Sequence, residues 1–159
     1  METLTDVNQI RVWVYRSVKK LNPELEADIL KKGKAFIGEW ASHGTKLASD
    51  FKILNHHFLV FFVDQNFESA SGCSIDTSVA FIREIEAKHQ LGLLDRQKMA
   101  FLKEEEVVLF DFNQLKQVYD EGIISDTTPI FDPLVQNKAE FDHRFLSPFS
   151  ESPYFKSVQ

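Results

Sequence analysis

The run Phe-Leu-Val-Phe-Phe-Val at residues 58–63 constrains the fold of this chain more than any other feature. All six side chains are apolar, so a strand formed by this run cannot leave either face in water without a large cost in free energy. Only a strand that is covered on both faces tolerates such a pattern. We therefore expect residues 58–63 to form a central strand. We expect the strand Ile10–Arg16, the other apolar candidate, to pair with it antiparallel, also at the centre of the sheet.

A first helix is expected to follow the first strand. Asn22 can accept a hydrogen bond as an N-cap and Pro23 suits the first turn, so the helix begins here. Apolar residues then repeat at helical spacing, and residues 42–44 are expected to end the helix because the glycine there suits the left-handed position. Gly33 and Gly38 each weaken the helix by about 1 kcal/mol relative to alanine, which predicts close backbone packing at both positions.

The rest of the chain divides into short strand and helix patterns separated by turn residues. The acidic run at residues 104–106 is expected as a solvated turn between two strands. Asp132-Pro133 is typical of a cap and first turn, and it predicts the start of a further helix. The remaining predicted elements are a strand over 46–54 in a hairpin with 58–63, a helix over 75–90, strands over 98–102 and 107–112, and a short helix over 113–121.

This order of elements predicts an α+β fold, namely a ferredoxin-like split β-α-β sandwich with an extra strand and C-terminal helices. The length of 159 residues and the hydrophobic content of 43% fit one domain over residues 1–159. Residues 144–159 place prolines among aromatic side chains, so we expect an irregular tail that docks on the domain.

The net charge of the chain indicates which kinds of partner it binds, and its single cysteine indicates its cellular compartment. The net charge of −6 predicts no nucleic acid partner, because binding to phosphates draws its affinity from lysine and arginine. Trp13 and Tyr15 on the first strand would suit stacking of RNA bases, but burial against the domain is the stronger interpretation. No run reaches the ~20 apolar residues of a membrane span, so no membrane is expected. One cysteine and no secretory leader predict a cytoplasmic protein.

Metal and nucleotide motifs are weak in this sequence. The neighbours His56 and His57 fit a polar turn better than a metal site, and no zinc spacing is present. The only Gly-Lys pair, Gly33-Lys34, precedes Ala35 where a phosphate-binding loop needs serine or threonine. We therefore expect no metal site and no cofactor.

The segment between the third strand and the second helix is the best candidate for a functional site. In the expected layout the first helix ends at the same sheet edge where the second helix begins, which brings His43 near Cys73. A thiol at a helix N-terminus is stabilised as thiolate by the helix dipole, and an imidazole beside it can act as a base. The candidate ligand-binding residues at this edge are Trp40, His43, Asp64, Ser71, Gly72, Cys73, Ser74 and Asp76.

Two other interpretations of this segment remain open. In the first, Cys73 is a small buried hydrophobe, and Ser71, Ser74 and Asp76 compete to cap the helix. In the second, free N–H groups at the helix start hold an anion without covalent chemistry, and Gly72 lets the ligand approach the backbone closely.

Four segments resemble those of a family of uncharacterised bacterial proteins of about this length. The segments are Arg11-Val-Trp-Val-Tyr15, Glu39-Trp-Ala-Ser-His-Gly44, Asp64 and Ser71-Gly-Cys-Ser-Ile-Asp-Thr-Ser78. The resemblance covers roughly residues 11–141. Some members carry the label "ABC transporter ATPase", but the chain lacks the phosphate-binding loop that the label requires. The resemblance implies no established activity, and it marks Trp40, His43, Gly44 and residues 71–78 as motifs of the family.

The sequence as a whole predicts a domain that binds a small ligand or a protein partner at the edge holding His43 and residues 64–78. The alternative is a cysteine-dependent enzyme that uses Cys73 with His43. A nucleophilic cysteine must be accessible, whereas a structural one need not be.

Overall fold

Nine strands and four α-helices make up the part of the chain that the structure describes, which is residues 6–66 and 68–159 of a computed structural model. The helices are α1 (Pro23–Glu39), α2 (Gly72–His89), α3 (Leu115–Asp120) and α4 (Lys138–Arg144). The strands are β1 (Ile10–Arg16), β2 (Ala41–Ser42), β3 (Thr45–Lys46), β4 (Ser49–Leu54), β5 (Phe58–Asp64), β6 (Lys98–Lys103), β7 (Glu106–Asp111), β8 (Pro129–Phe131) and β9 (Leu146–Pro148). Short 3-10 helices lie at Val7–Gln9, Phe112–Gln114, Phe149–Glu151 and Pro153–Val158. None of these helices combines the length and the apolar character needed to cross a membrane.

The first sheet is antiparallel, with β5 between β1 and β4. β1 pairs with β5 along its whole length, in a register that sets Arg16 opposite Phe58, so the predicted pairing is confirmed. The prediction that both strands are central is correct for β5 and wrong for β1, which is an edge strand. On its outer side β1 has only an isolated bridge, between Arg11 and Asn137, within the described residues.

The second sheet has the antiparallel order β7-β6-β8-β9. In a ferredoxin-like layout the strand after α2 would extend the first sheet beside β1. β6 pairs instead with β7 and β8, with Phe101 opposite Val108 on one side and Ile130 on the other. The α+β class is confirmed. The ferredoxin-like arrangement is not, because the fourth predicted strand belongs to this separate sheet.

Helices α1 and α2 cover one face of the first sheet. Ile29 of α1 and Ile82 of α2 are fully buried in one cluster with Phe51 and Phe61 of the sheet. The ring centroid of Phe61 lies 4.9 Å from that of Phe51 and 5.6 Å from that of Trp40. Aromatic side chains therefore supply much of the apolar area that holds the helices on the sheet.

The second sheet covers the opposite face of the first sheet. Phe58 and Val60 of β5 are buried in one cluster with Ala100 of β6 and Phe131 of β8. The ring centroids of Phe58 and Phe131 are 4.6 Å apart. β5 is therefore covered on both faces, as the apolar run predicted, and its residues 58–61 are at most 1% exposed.

The outer face of the second sheet packs against α3 and the C-terminal residues. The ring centroids of Phe101 and Phe149 are 5.3 Å apart, and Leu115 and Val158 are buried in the same cluster. Residues 144–159 contain β9 and two 3-10 helices. This tail therefore has more regular structure than its sequence predicted.

α1 ends earlier than predicted. Its last residue is Glu39, and residues 41–46 form the small hairpin β2–β3. His43 and Gly44 make the turn of this hairpin, with φ angles of 51° and 81°. Two consecutive positive φ angles are typical of a type I′ turn, which strongly favours glycine at its second position. Gly44 therefore closes a hairpin, and the prediction that it ends the helix is wrong.

The two glycines inside α1 have different surroundings. A Cβ atom on Gly33 would lie 2.2 Å from the Phe51 ring, so the predicted close packing is confirmed at this position. A Cβ atom on Gly38 would meet nothing within 4 Å among the described residues, so the same prediction is wrong there. The helix therefore approaches the sheet closely at one glycine only.

The predicted helix start at Asp132-Pro133 is wrong. The Asp132 carboxylate accepts a hydrogen bond from the N–H of Leu134 at 2.9 Å, which is a local turn that aspartate favours. α4 begins at Lys138 instead. Its N-cap is Asn137, whose side chain accepts a hydrogen bond from the backbone N–H of the third helical residue at 2.8 Å.

Candidate functional site

The structure brings the end of α1 to the start of α2, where the sequence predicted a site. The indole N–H of Trp40 donates a hydrogen bond to the carbonyl oxygen of Ser74 at 2.8 Å. Trp40 is 2% exposed, and its ring packs against Phe36 and Phe61. Trp40 therefore fixes the start of α2 from inside the core, and its ring is not available to a ligand.

Ser71 and Ser74 form a capping box at the start of α2. The Ser71 hydroxyl accepts a hydrogen bond from the N–H of Ser74 at 3.1 Å, and the Ser74 hydroxyl accepts one from the N–H of Ser71 at 2.7 Å. The predicted capping role of the two serines is confirmed. Asp76 is exposed and lies beyond the cap, so its predicted capping role is wrong. Gly72 is the first residue of the helix and is exposed.

Cys73 is exposed in the first turn of α2. The interpretation of Cys73 as a small buried hydrophobe is therefore wrong. His43 is also exposed, on the turn of the β2–β3 hairpin. Among the described hydrogen bonds, none joins the side chains of His43 and Cys73, so their proximity stays a prediction.

Asp64 lies on the other face of the first sheet from Trp40 and Ser74. Side chains alternate along a strand, so Asp64 shares its face with Phe62, which packs toward α4. The Asp64 carboxylate accepts hydrogen bonds from the backbone and side-chain N–H groups of Asn66, at 3.0 and 2.7 Å. It also lines a cavity of about 520 Å³ beside α4. The sheet therefore divides the predicted site residues between two places.

A second cavity, of about 260 Å³, opens at the free edge of β1. Four segments and the side chain of Tyr154 meet there, because no strand among the described residues pairs with the outer edge of β1. We call this cavity the Arg16 pocket. It is lined by residues 14–16, 93–96, 98–99 and 133–134 and by Tyr154.

The guanidinium of Arg16 is the most unusual group in the Arg16 pocket. Arg16 is only 6% exposed. Its Nη1 donates a hydrogen bond to the carbonyl oxygen of Lys98 at 2.6 Å, and its Nη2 donates one to the carbonyl oxygen of Asp95 at 3.1 Å. Its Nε is buried and has no hydrogen-bond partner in the described part of the chain. Two neutral carbonyls therefore hold a buried cation in place, and no carboxylate of residues 6–66 or 68–159 is bonded to it.

The charges around the Arg16 pocket are mostly positive, although the chain as a whole is acidic. Arg16, Arg96 and Lys98 line the pocket together with one carboxylate, that of Asp95. Lys98 Nζ donates a hydrogen bond to Asp111 at 2.7 Å, so its charge is paired outside the pocket. Burial lowers the pKa of Arg16, and the Asp95 charge opposes this effect. A guanidinium stays protonated in proteins, so one positive charge remains in excess.

Two phenols and two exposed leucines also belong to the lining of the Arg16 pocket. Burial raises the pKa of Tyr15, against the opposing charges of Arg96 and Arg83, and burial followed by the charge of Asp132 raises the pKa of Tyr154. Both phenols are therefore neutral at pH 7. At the rim of the pocket Leu94 and Leu134 are 47% and 52% exposed.

The alternation of side chains along β1 contains a sequence signal for Arg16. Ile10, Val12 and Val14 alternate on one face of β1, and Arg16 continues that apolar face. A charged residue in register with a buried face is expensive unless it has partners, so it marks either a structural ion pair or a site. One partner of Arg16, Asp95, lies in the loop after α2, and the other, Lys98, begins β6. Both are too distant in sequence to be identified by periodicity.

His57 also differs from its prediction as a polar surface residue. It is buried, and its Nδ1 lies 2.8 Å from the carbonyl oxygen of Ser17. Burial lowers the pKa of His57, which keeps the ring neutral at pH 7. Across the described residues, no group of three or more His, Cys, Asp or Glu side chains is arranged to hold a metal ion.

Comparisons with protein-family models, with curated proteins and with solved structures found no match to this chain.

Proposed function

We propose that this protein binds a small anionic ligand non-covalently in the Arg16 pocket. The observation that supports this proposal is the Arg16 guanidinium, which is 6% exposed and whose hydrogen bonds among the described residues all go to carbonyl oxygens. Taking a guanidinium out of water is costly, and a bonded carboxylate normally offsets that cost. A ligand that carries a negative charge would supply the missing partner.

The groups beside Arg16 suit the recognition of an anion. The two carbonyl bonds fix the plane of the guanidinium, so little rotational freedom is lost when a ligand binds. The N–H of Val12 donates to the carbonyl oxygen of Gln136 at 3.0 Å across the outer edge of β1. Two residues on, the N–H of Val14 points to the same edge, where the pocket lies. A backbone donor and a fixed cation therefore converge on one small cavity.

The edge that holds His43 and Cys73 supports ligand binding less well. The indole of Trp40 and the hydroxyls of Ser71 and Ser74 already have hydrogen-bond partners inside the protein. His43, Cys73 and Asp76 are exposed on a hairpin turn and a helix start and line neither of the two cavities described above, whereas small ligands prefer concave sites. We propose this edge as a second surface, which binds a protein partner.

The single cysteine fits a reducing compartment, and we propose that the protein is located in the cytoplasm.

The proposed function predicts where small anions bind. In a titration of the ¹⁵N-labelled protein with acetate and with inorganic phosphate, we expect amide shifts at residues 14–16 and 93–98. Arg16→Gln should weaken binding roughly tenfold or more, since hydrogen bonds to charged groups are the strong ones. Arg11→Gln is the matched control, because Arg11 lies on the same strand and does not line the pocket. If Arg16→Gln does not fold, Arg96→Gln at an exposed position should still weaken binding. Shifts confined to other parts of the protein would refute the proposal.

A cysteine-dependent enzyme is the second candidate function, and the exposure of Cys73 favours it. Under our main proposal, iodoacetamide should label Cys73 in the folded protein at the rate of an ordinary exposed thiol, and His43→Ala should leave that rate unchanged. Labelling can be followed by mass spectrometry, with glutathione as the reference thiol. A rate well above that of glutathione, lost in His43→Ala, would support the enzyme instead.

A further inference from the structure

The rim of the Arg16 pocket indicates that the ligand has an apolar part in addition to its charge. Leu134 is 52% exposed and Leu94 is 47% exposed, and both line this one small cavity. Leu134 is the most exposed large hydrophobic side chain in the described part of the chain. Single exposed leucines are ordinary, but two at the mouth of one pocket form an apolar contact area that a ligand would remove from water.

The charge near Arg16 matches a monoanion. Lys98 is paired with Asp111, so the charges left in the pocket are those of Arg16 and Arg96 against that of Asp95. A ligand with one negative charge neutralises this excess of one positive charge. A phosphate dianion carries more negative charge than the excess, and the Asp95 carboxylate would repel it. A planar guanidinium also matches a planar carboxylate, which can accept two hydrogen bonds side by side.

The size of the Arg16 pocket limits the rest of the ligand. Its volume of about 260 Å³ is below the ~300–1,000 Å³ of pockets that take drug-sized ligands. A carboxylate with one aromatic ring or one short branched chain fits this space. The ring of Tyr154 also lines the pocket and can pack against such a body.

From these observations we infer that the ligand is a small carboxylic acid with an apolar body, held by Arg16 at its carboxylate and by Leu94 and Leu134 at its body. This inference rests on the proposed function, because it requires an anion beside Arg16. It adds the class of ligand, which the charge alone does not give.

The test compares four probes on the intact protein by the same amide-shift titration: acetate, benzoate, benzyl alcohol and phenyl phosphate. Benzoate should bind roughly tenfold more tightly than acetate, because its ring buries apolar area against the two leucines. Benzyl alcohol should not bind, since it lacks the charge, and phenyl phosphate should bind more weakly than benzoate. Leu134→Ser, at an exposed position, should remove most of the difference between benzoate and acetate. Leu30→Ser on α1 is the matched control, since Leu30 is 36% exposed and away from the pocket.

The outcomes separate this inference from the proposed function. If acetate and phosphate bind at residues 14–16 and benzoate binds no more tightly than acetate, the apolar-body inference is wrong and the anion site remains. If none of the charged probes shifts these residues, the proposed function itself fails. If Leu30→Ser lowers the affinity for benzoate as much as Leu134→Ser does, the rim leucines are not the contact.

Discussion

Replacing Gly33 by alanine is expected to lower the free energy of unfolding by about 3 kcal/mol, the upper part of the range for overpacking a core. The new Cβ atom would lie 2.2 Å from Cδ2 and 2.3 Å from Cε2 of Phe51, so the helix or the ring must move. Phe51 is fully buried, and its ring centroid lies 4.9 Å from that of Phe61 and 6.2 Å from that of Phe81. Urea unfolding followed by circular dichroism measures the change.

Gly38→Ala is the matched control for this substitution. Gly38 lies in the same helix, and a Cβ atom there would meet nothing within 4 Å among the described residues. Alanine should therefore stabilise the protein by roughly 0.5–1 kcal/mol through its higher helix propensity. If the two variants were equally stable, the close approach of α1 to β4 at Gly33 would be refuted.

Replacing Glu86 by alanine is also expected to cost about 3 kcal/mol, because it removes the acceptor of three backbone hydrogen bonds. One carboxylate oxygen of Glu86 accepts from the N–H groups of Leu91 and Leu93, at 3.2 and 2.9 Å, and the other accepts from that of Gly92 at 3.1 Å. Leu91 and Leu93 are buried, so these N–H groups cannot easily exchange their partner for water.

The position of Glu86 in the last turn of α2 strengthens this expectation. A carboxylate near the C-terminus of a helix is disfavoured by the helix dipole, so the bonds to residues 91–93 must outweigh that effect. Thermal unfolding gives the stability change, and amide hydrogen exchange at 91–93 gives its location. Glu84→Ala, at an exposed position on the same helix, should change the stability by less than about 0.5 kcal/mol. Equal stability of the Glu84 and Glu86 variants would contradict the role of Glu86.

Elements that depend on local patterns could be predicted from the sequence. β1 runs over Ile10–Arg16 as predicted, and α1 begins after its predicted cap Asn22, which accepts a hydrogen bond from Leu25 at 2.8 Å. The apolar run at 58–63 correctly required cover on both faces of β5. The run does not predict that a second sheet covers one of those faces. That sheet includes the pairing of β6 with β8, which is distant from β6 in the sequence.

Prediction of the two candidate sites from the sequence is limited in the same way, by the distance between partners along the chain. The Ser71 and Ser74 cap could be predicted because its partners are three residues apart. The Arg16 pocket could not, since the carbonyls that hold Arg16 are 82 and 79 residues away along the chain. Periodicity identifies which face of a strand is buried, but a polar residue on that face finds its partners only through the tertiary fold.

The cover of β5 by two layers has a consequence for biosynthesis. The helices that cover one face of the first sheet lie before residue 90, but the residues that cover the other face, such as Ala100, Phe131 and Phe145, are made later. When the nascent chain has emerged only through α2, Val12, Val60 and other apolar side chains of the first sheet are therefore still in water. Such partly covered chains are prone to association, so we expect the first sheet to be vulnerable to association until the second half of the chain has been made.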